Sequence, residues 1–368
     1  MRVLYGVQGT GNGHITRARL MCKALRNAGI DVDVIMSGRA GERPDVPEFG
    51  DYTQYKGITF YHSNGKIDRL KTARELSLGQ AWLDMGKLNL DRYEMLINDF
   101  EPLTAWAAKR HGLPSVSVSH QAAFTQNIPT REMGTFNRLL AHHYAPCQHA
   151  LGVHWYHFQQ EILPPIIEPM DELNSDGSIL VYLPFEDLQE VIFLLQRFSR
   201  YQFKCFHPAI KNKEQSDNVL LHPIDRRGFL KALADCSGVF CNAGFELPSE
   251  AMAAGKKLLV KPLHGQFEQV TNAYTLQSLG LASVLQSLEP FPVDAWLQQD
   301  QAEPVIFPDV SAFLANRIKD GTWQDTELLS QQLWQQVSYP SATQLVINDI
   351  ESGVEAESTA LSKIRLTS

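Results

Sequence analysis

The chain has 368 residues with 44% hydrophobic and 20% charged side chains, a globular balance on a length that suits two domains of about 150–180 residues each. No stretch of 18 apolar residues occurs, which excludes a membrane-spanning helix, and a net charge of −8 argues against general nucleic-acid binding. The charge is uneven: residues 1–150 hold 18 Lys and Arg against 14 Asp and Glu, the remainder 15 against 27, which reads either as ordinary surface variation or as a first half suited to an acidic partner or a peripheral membrane contact.

Met1–Val7 reads as a strand leading into a glycine loop, without the apolar core and cleavage site of a signal peptide. A cytoplasmic location is expected, with peripheral contact at the inner membrane face as its extension. Ile15–Ala28 reads as a helix, with Ala18, Met21, Cys22 and Leu25 at helical spacing and Gly29 as its stop. Strands are expected at Asp31–Met36, Ile58–His62, Glu94–Asn98 and Ser115–Ser119, with a helix from Pro102 to His111. Strands alternating with helices imply a parallel sheet wound on both sides, whose ligands sit at the carboxyl ends of the strands. The basic stretch Lys66–Glu75, with Lys66, Arg69, Lys71 and Arg74, reads as a solvated loop or helix, or as a contact for an anionic acceptor or lipid surface.

Leu163-Pro164-Pro165-Ile166-Ile167-Glu168-Pro169 breaks the alternation, and 158–177 is read as a linker between a first domain, 1–157, and a second, 178–335. The pattern restarts with strands at Ile179–Leu183, Gln202–Phe206, Val219–His222, Val239–Cys241 and Lys257–Lys261. Helices are expected at Asp187–Arg200, Arg227–Asp235, Leu247–Ala254 and Phe267–Leu279. The helical tail after about Ala312, with 336–368 as its last segment, is expected to pack across the domain junction and to fray at its end.

The strongest motif is Asn242-Ala243-Gly244-Phe245-Glu246-Leu247-Pro248-Ser249-Glu250, followed one strand later by Gly265-Gln266-Phe267-Glu268-Gln269. Two helix N-termini emerging from adjacent strands present free N–H groups and positive dipole ends, a receptor for a diphosphate and its sugar. Gly9-Thr10-Gly11-Asn12-Gly13-His14 opens the first helix in the same manner. It is neither a dinucleotide fingerprint, since His14 replaces the third glycine and strand two ends without an acid, nor a P-loop, since no Gly-Lys-Ser/Thr follows. His14 is a candidate general base or a simple cap of the turn. Asp99, at a strand end, faces the same crevice and either orients His14 or caps the Pro102 helix. His120 and Gln121 end another strand and either contact acceptor or donor or bond within the loop. His142, His143, His149, His154 and His157 crowd together without metal-site spacing, and Trp155-Tyr156 beside them suggests a packed interdomain surface. The five cysteines (Cys22, Cys147, Cys205, Cys236, Cys241) form no CxxC pair, which gives neither a disulfide framework nor a zinc ribbon.

With these motifs, the chain resembles the GT-B glycosyltransferases, α/β proteins of two Rossmann-like doubly wound parallel-sheet domains facing across a cleft. The resemblance is closest to the branch of UDP-glycosyltransferases and the lipid-linked N-acetylglucosaminyltransferase of peptidoglycan synthesis, and within it to a bacterial and archaeal subgroup with GxGHxxR and GxFEQ motifs, to which Arg17 contributes. It implies an inverting, metal-independent transfer of a sugar from a nucleotide diphosphate sugar, a UDP-sugar, to a hydroxyl acceptor, with no cofactor. It implies His14 as base with Asp99 as orienter, Gly11, Asn12, Gly13 and Arg17 as the acceptor-side loop, and Gly244, Glu250, Glu268, Gln269 and Asn272 as donor-binding. Where relatives carry Ser or Thr for the phosphate, this chain has Phe245 and Glu246, so either the Glu246 carboxylate points away from the donor or donor binding is altered. The alternatives are a nucleotide-sugar epimerase or hydrolase, or a nucleotide-sugar-binding protein without catalysis.

Overall fold

The structure, a computed structural model, describes residues 1–39, 41, 43–57, 62–63, 66–67, 78–170 and 174–352. Most of the basic stretch, 68–75, and part of the strand expected at 58–62 lie outside the described residues.

In the first half β1 (Arg2–Gln8) leads into α1 (Asn12–Asn27), β2 (Asp31–Ser37) and β3 (Thr53–Tyr55). The strand beside β2 is Thr53–Tyr55. A short hairpin, β4 (His62–Ser63) and β5 (Lys66–Ile67), and a helix, α2 (Leu78–Gly86), precede β6 (Met95–Asp99). Then come α3 (Pro102–His111), β7 (Ser115–Ser119), α4 (His120–Ala123), α5 (Thr135–His143), β8 (His149–Val153) and β9 (Ile162–Leu163). The sheet order is β3-β2-β1-β6-β7-β8-β9, with every pairing parallel. β9 lies inside the expected linker 158–177. The two apolar residues before Pro164 supply ladder groups to β8 before the prolines end pairing.

The second half repeats the plan with β10 (Ile179–Tyr182), α6 (Leu188–Gln196), β11 (Phe203–Phe206), β12 (Glu214–Ser216), β13 (Val219–His222) and α7 (Arg226–Asp235). It continues through β14 (Gly238–Asn242), α8 (Glu246–Ala253), β15 (Lys257–Lys261), α9 (Phe267–Ser278), β16 (Ser283–Val284) and α10 (Pro290–Leu297). The order β12-β13-β11-β10-β14-β15-β16 is parallel except for edge strand β12.

Three more helices follow: α11 (Val310–Lys319), α12 (Thr326–Trp334) and α13 (Ser341–Ser352). They return to the first half. Val310, Leu314 and Ile318 join the core that holds Met21 and Leu25 of α1, and Ser330 Oγ and Trp334 Nε1 both donate to the Ile162 carbonyl. No helix among the described residues is long and apolar enough to cross a membrane.

Candidate active site

Each sheet reverses its winding beside its first strand, between β1 and β6 in the first and between β10 and β14 in the second. Loops diverge at such points and leave a crevice beyond the carboxyl ends of the strands.

At the first crevice α1 starts directly after the glycine turn, with Gly11 as an N-cap that makes no side-chain bond. His14 therefore sits in the first helical turn. Its Nδ1 lies 2.7 Å from Oδ1 of Asp99, which ends β6 and is fully buried. One turn on, Arg17 donates from Nε and Nη2 to the two Asp99 oxygens, each at 2.8 Å, and from Nη1 to Glu246 of α8. A charged carboxylate at 2.7 Å assigns the His14 proton to Nδ1 and leaves Nε2 as an acceptor. Burial alone would raise the Asp99 pKa, but Arg17 and His14 outweigh it and hold the carboxylate below its usual value. Burial likewise works against the Arg17 charge, and Asp99 and Glu246 more than restore it.

The rival role of Asp99, capping the Pro102 helix, belongs to Glu101. Its carboxylate accepts from Leu103 N at 2.8 Å and Thr104 N at 2.7 Å. Between the two acids Phe100 takes a left-handed conformation, φ 55°, which is costly for a side-chain-bearing residue. That turn aims Asp99 at α1 and Glu101 at α3.

Across the seam, α8 opens beside Gly244 with no side-chain cap, so first-turn amides are available to an anion. The Glu246 side chain turns back toward Arg17 and lies against Gly13, where an added Cβ would stand 2.7 Å from Glu246 Cγ. Only glycine lets the two helix starts approach this closely. Burial pushes the Glu246 carboxyl up to about 8, with Arg17 opposing and Glu250 and Asp99 adding. Glu250, one turn further, is buried and pushed up to about 7, with Arg226 opposing and Glu168 adding. Burial raises the pKa of Tyr182 at the end of β10, and nearby Asn12 opposes that rise.

α9 also begins without a side-chain cap, after Gly265 at φ 75°. Glu268 in its first turn is partly exposed and accepts from Gln121 Nε2 at 3.2 Å, which places Gln121 at the seam. The other expected donor-side groups face inward. Gln269 is buried, and its Oε1 accepts from Leu263 N at 3.1 Å. Asn272 is fully buried, its Nδ2 donating to the Ala243 carbonyl at 3.1 Å and its Oδ1 lying 2.8 Å from His120 Nε2. His120 is buried as well, stacked on Phe245 with centroids 4.1 Å apart and with Nδ1 2.9 Å from the Val153 carbonyl. Asn272 and His120, expected on donor and acceptor, thus join the two halves. Helix periodicity does not reveal this, because the inward face of α9 is defined only once the first half packs on it.

The histidine-rich stretch separates into parts. His142 and His143 end α5, His149 opens β8, and buried His154 accepts from Trp155 N at 2.8 Å through Nδ1. Trp155 Nε1 donates to Ser249 Oγ of α8 at 2.8 Å, so this stretch does pack between the halves. Among the described residues no three His, Cys, Asp or Glu side chains come together as a metal-ligand set.

Residues 1–299 match the sequence profile of glycosyl transferase family 1. The chain belongs to this family. No curated protein matches it in sequence. Among solved structures it is similar to the glycotransferase of kitacinnamycin, with TM-score 0.55 and 14% identity over 90% of this chain and 99% of that one. It is also similar to Phytolacca americana UGT2, solved with UDP-2fluoro-glucose and pterostilbene, with TM-score 0.52 and 13% identity over 96% and 98%. SnogD from Streptomyces nogalater gives TM-score 0.51 and 15% identity over 96% and 99%. At such identities the likeness concerns the fold, which is GT-B, as the two doubly wound sheets already indicate. The family 1 member described here is accordingly a glycosyltransferase, with its His14–Asp99 pair on one sheet and its open helix starts on the other.

Proposed function

We propose that this glycosyltransferase moves a sugar from a nucleotide diphosphate sugar, a UDP-sugar, to a hydroxyl acceptor with inversion and without a metal ion. The observation that carries the reading is the His14–Asp99 pair, 2.7 Å apart, tied through Arg17 to the uncapped start of α8. His14 Nε2 takes the proton of the acceptor hydroxyl as its oxygen attacks the anomeric carbon. The bond from that carbon to the diphosphate oxygen breaks on the opposite face, and its electron pair leaves with the diphosphate. Buried Asp99 stabilises the imidazolium and fixes its orientation. The first-turn amides and dipole of α8 receive the charge of the departing diphosphate, a task that a cation would otherwise perform. Glu250 accepts from hydroxyls of the nucleoside, and Glu268 from those of the sugar. The reaction belongs in the cytoplasm, where the more basic first half suits an acceptor displayed at a membrane face.

Thermal unfolding with a panel of UDP-, dTDP- and GDP-sugars tests donor binding. A ligand at ~100 times its Kd adds ~2.7 kcal/mol, and no shift with any nucleotide sugar would count against the reading. With a productive acceptor, NMR of the product should show an inverted anomeric centre and EDTA should leave the rate unchanged. Retention of configuration, or turnover equally fast without acceptor, would replace this mechanism with another.

A further inference from the structure

Three polar side chains meet at the second switch point, where β10 and β14 part. Glu186 lies in the loop after β10, Asn242 ends β14, and Lys261 ends β15 in register with Asn242. The Lys261 side chain crosses the end of β14 to place Nζ 2.8 Å from Glu186 Oε1. Asn242 Nδ2 donates to the same oxygen at 3.3 Å and to the Lys261 carbonyl at 3.0 Å. The Lys261 and Glu186 side chains are only 9% and 13% exposed. Asn242 Oδ1 is buried and accepts no hydrogen bond. Beside the cluster, Phe185 is 56% exposed.

Stability alone gives a poor account of this arrangement. A buried ion pair is commonly replaceable by apolar residues without loss, and a buried acceptor without a donor is unfavourable. Its position is that of a ligand, at the carboxyl ends of the strands where the winding reverses. The crevice lies across the seam from the helix that carries His14. Glu246, four residues after Asn242, bonds Arg17 of that helix.

The chemistry selects the ligand. The Lys261 ammonium has three donors, of which Glu186 engages one, while Asn242 Oδ1 and the second Glu186 oxygen are acceptors. A hydroxyl both donates and accepts, and a vicinal pair satisfies such a set. A phosphate only accepts, and it would meet the Glu186 charge and the Asn242 oxygen unfavourably. Phe185 adds an apolar surface of the kind that lines small-ligand sites. Meanwhile the inward bonds of Gln269 and Asn272 leave Glu268 short of partners for a polyhydroxylated ring.

We propose that Glu186, Lys261 and Asn242 form the subsite for the transferred pyranose, holding two adjacent hydroxyls, with Phe185 against a C–H face of the ring. The proposal rests on the nucleotide-sugar reading above. Its test is calorimetric titration of the full chain with UDP, UDP-glucose, UDP-galactose and UDP-N-acetylglucosamine, for the wild type and for the double variant Glu186→Gln/Lys261→Met. Removing both charges together avoids leaving one buried and unpaired. The wild type should bind at least one UDP-sugar more tightly than UDP. The double variant should keep its UDP affinity within about 2-fold and lose about 10-fold or more of the sugar's increment. If the double variant melts early, Phe185→Ala carries the same comparison, since that side chain is 56% exposed and its removal leaves no buried charge unpaired. An increment that survives either folded variant, or a wild type that gains nothing from the sugar, overturns the proposal. A wild type that binds none of the four ligands overturns the uridine-donor reading itself, and the subsite with it.

Discussion

The crevices of the two sheets arise from the same winding, yet they hold their polar groups differently. In the first, Asp99 receives His14 and two donors of Arg17, and a third Arg17 donor goes to Glu246. In the second, α8 and α9 start without side-chain caps and Asn242 Oδ1 accepts nothing. One side is a preassembled set of charges around a single imidazole nitrogen, and the other is a set of open valences. This is the division of labour between a group that reacts and a surface that binds: the reacting group gains from fixed geometry, the surface from partners that a ligand completes.

The most severe way to break the comparison is Arg17→Met. Asp99 and Glu246 would then be buried without their cation, and denaturant unfolding should show a loss of about 3–5 kcal/mol. A loss below about 1 kcal/mol would mean that water or rearrangement neutralises these acids, and the first crevice would not be preassembled. Next in size is His14→Ala, which should lower kcat by about 100-fold or more while the donor Kd, read by titration, stays unchanged. Unchanged turnover would remove His14 from the mechanism, and a weakened donor Kd would blur the division between the two sides.

The smallest effect sharpens the second side through Glu250, whose folded-state pKa of about 7 lies above its ordinary 4.5. Between those values the folded form holds a proton that the unfolded form has lost. Stability contributed here should therefore fall, by roughly 2–3 kcal/mol, as pH rises from about 4.5 through 7, and level off above. Unfolding measured at pH 5 and pH 8 should show this difference in the wild type and lose it in Glu250→Gln. An unchanged pH response in the variant would assign the slope to another group, with Glu246 the neighbour to test.

The sequence carried the parts of this design that are local. Alternating apolar runs mark the strands, and glycine turns before His14 and Glu246 mark helix starts at strand ends. Asp99 could be placed opposite His14 because both follow strands that pair in parallel. What decided between orienting and capping was the Phe100 backbone, which no periodicity reports. Gln269 and Asn272 are marked as ligand groups only by the family resemblance of the Gly265–Ala273 stretch. Their inward direction depends on His120 and Leu263 arriving from elsewhere. Lys261 left a usable sign, a lone cation closing the apolar run Leu258-Leu259-Val260 at a strand's carboxyl end. Ile162–Leu163 left none, since two residues before a Pro-Pro pair look like a linker until β8 offers them an edge.

The return of α11 and α12 to the first half sets a schedule for the nascent polypeptide. The outer face of α1 packs on Leu314 and Ile318, and the Ile162 carbonyl accepts from Ser330 and Trp334, so the half synthesised first stays unfinished until the far end emerges from the ribosome. Until then an apolar face of α1 is uncovered, which makes early truncation a route to aggregation rather than to a smaller folded fragment.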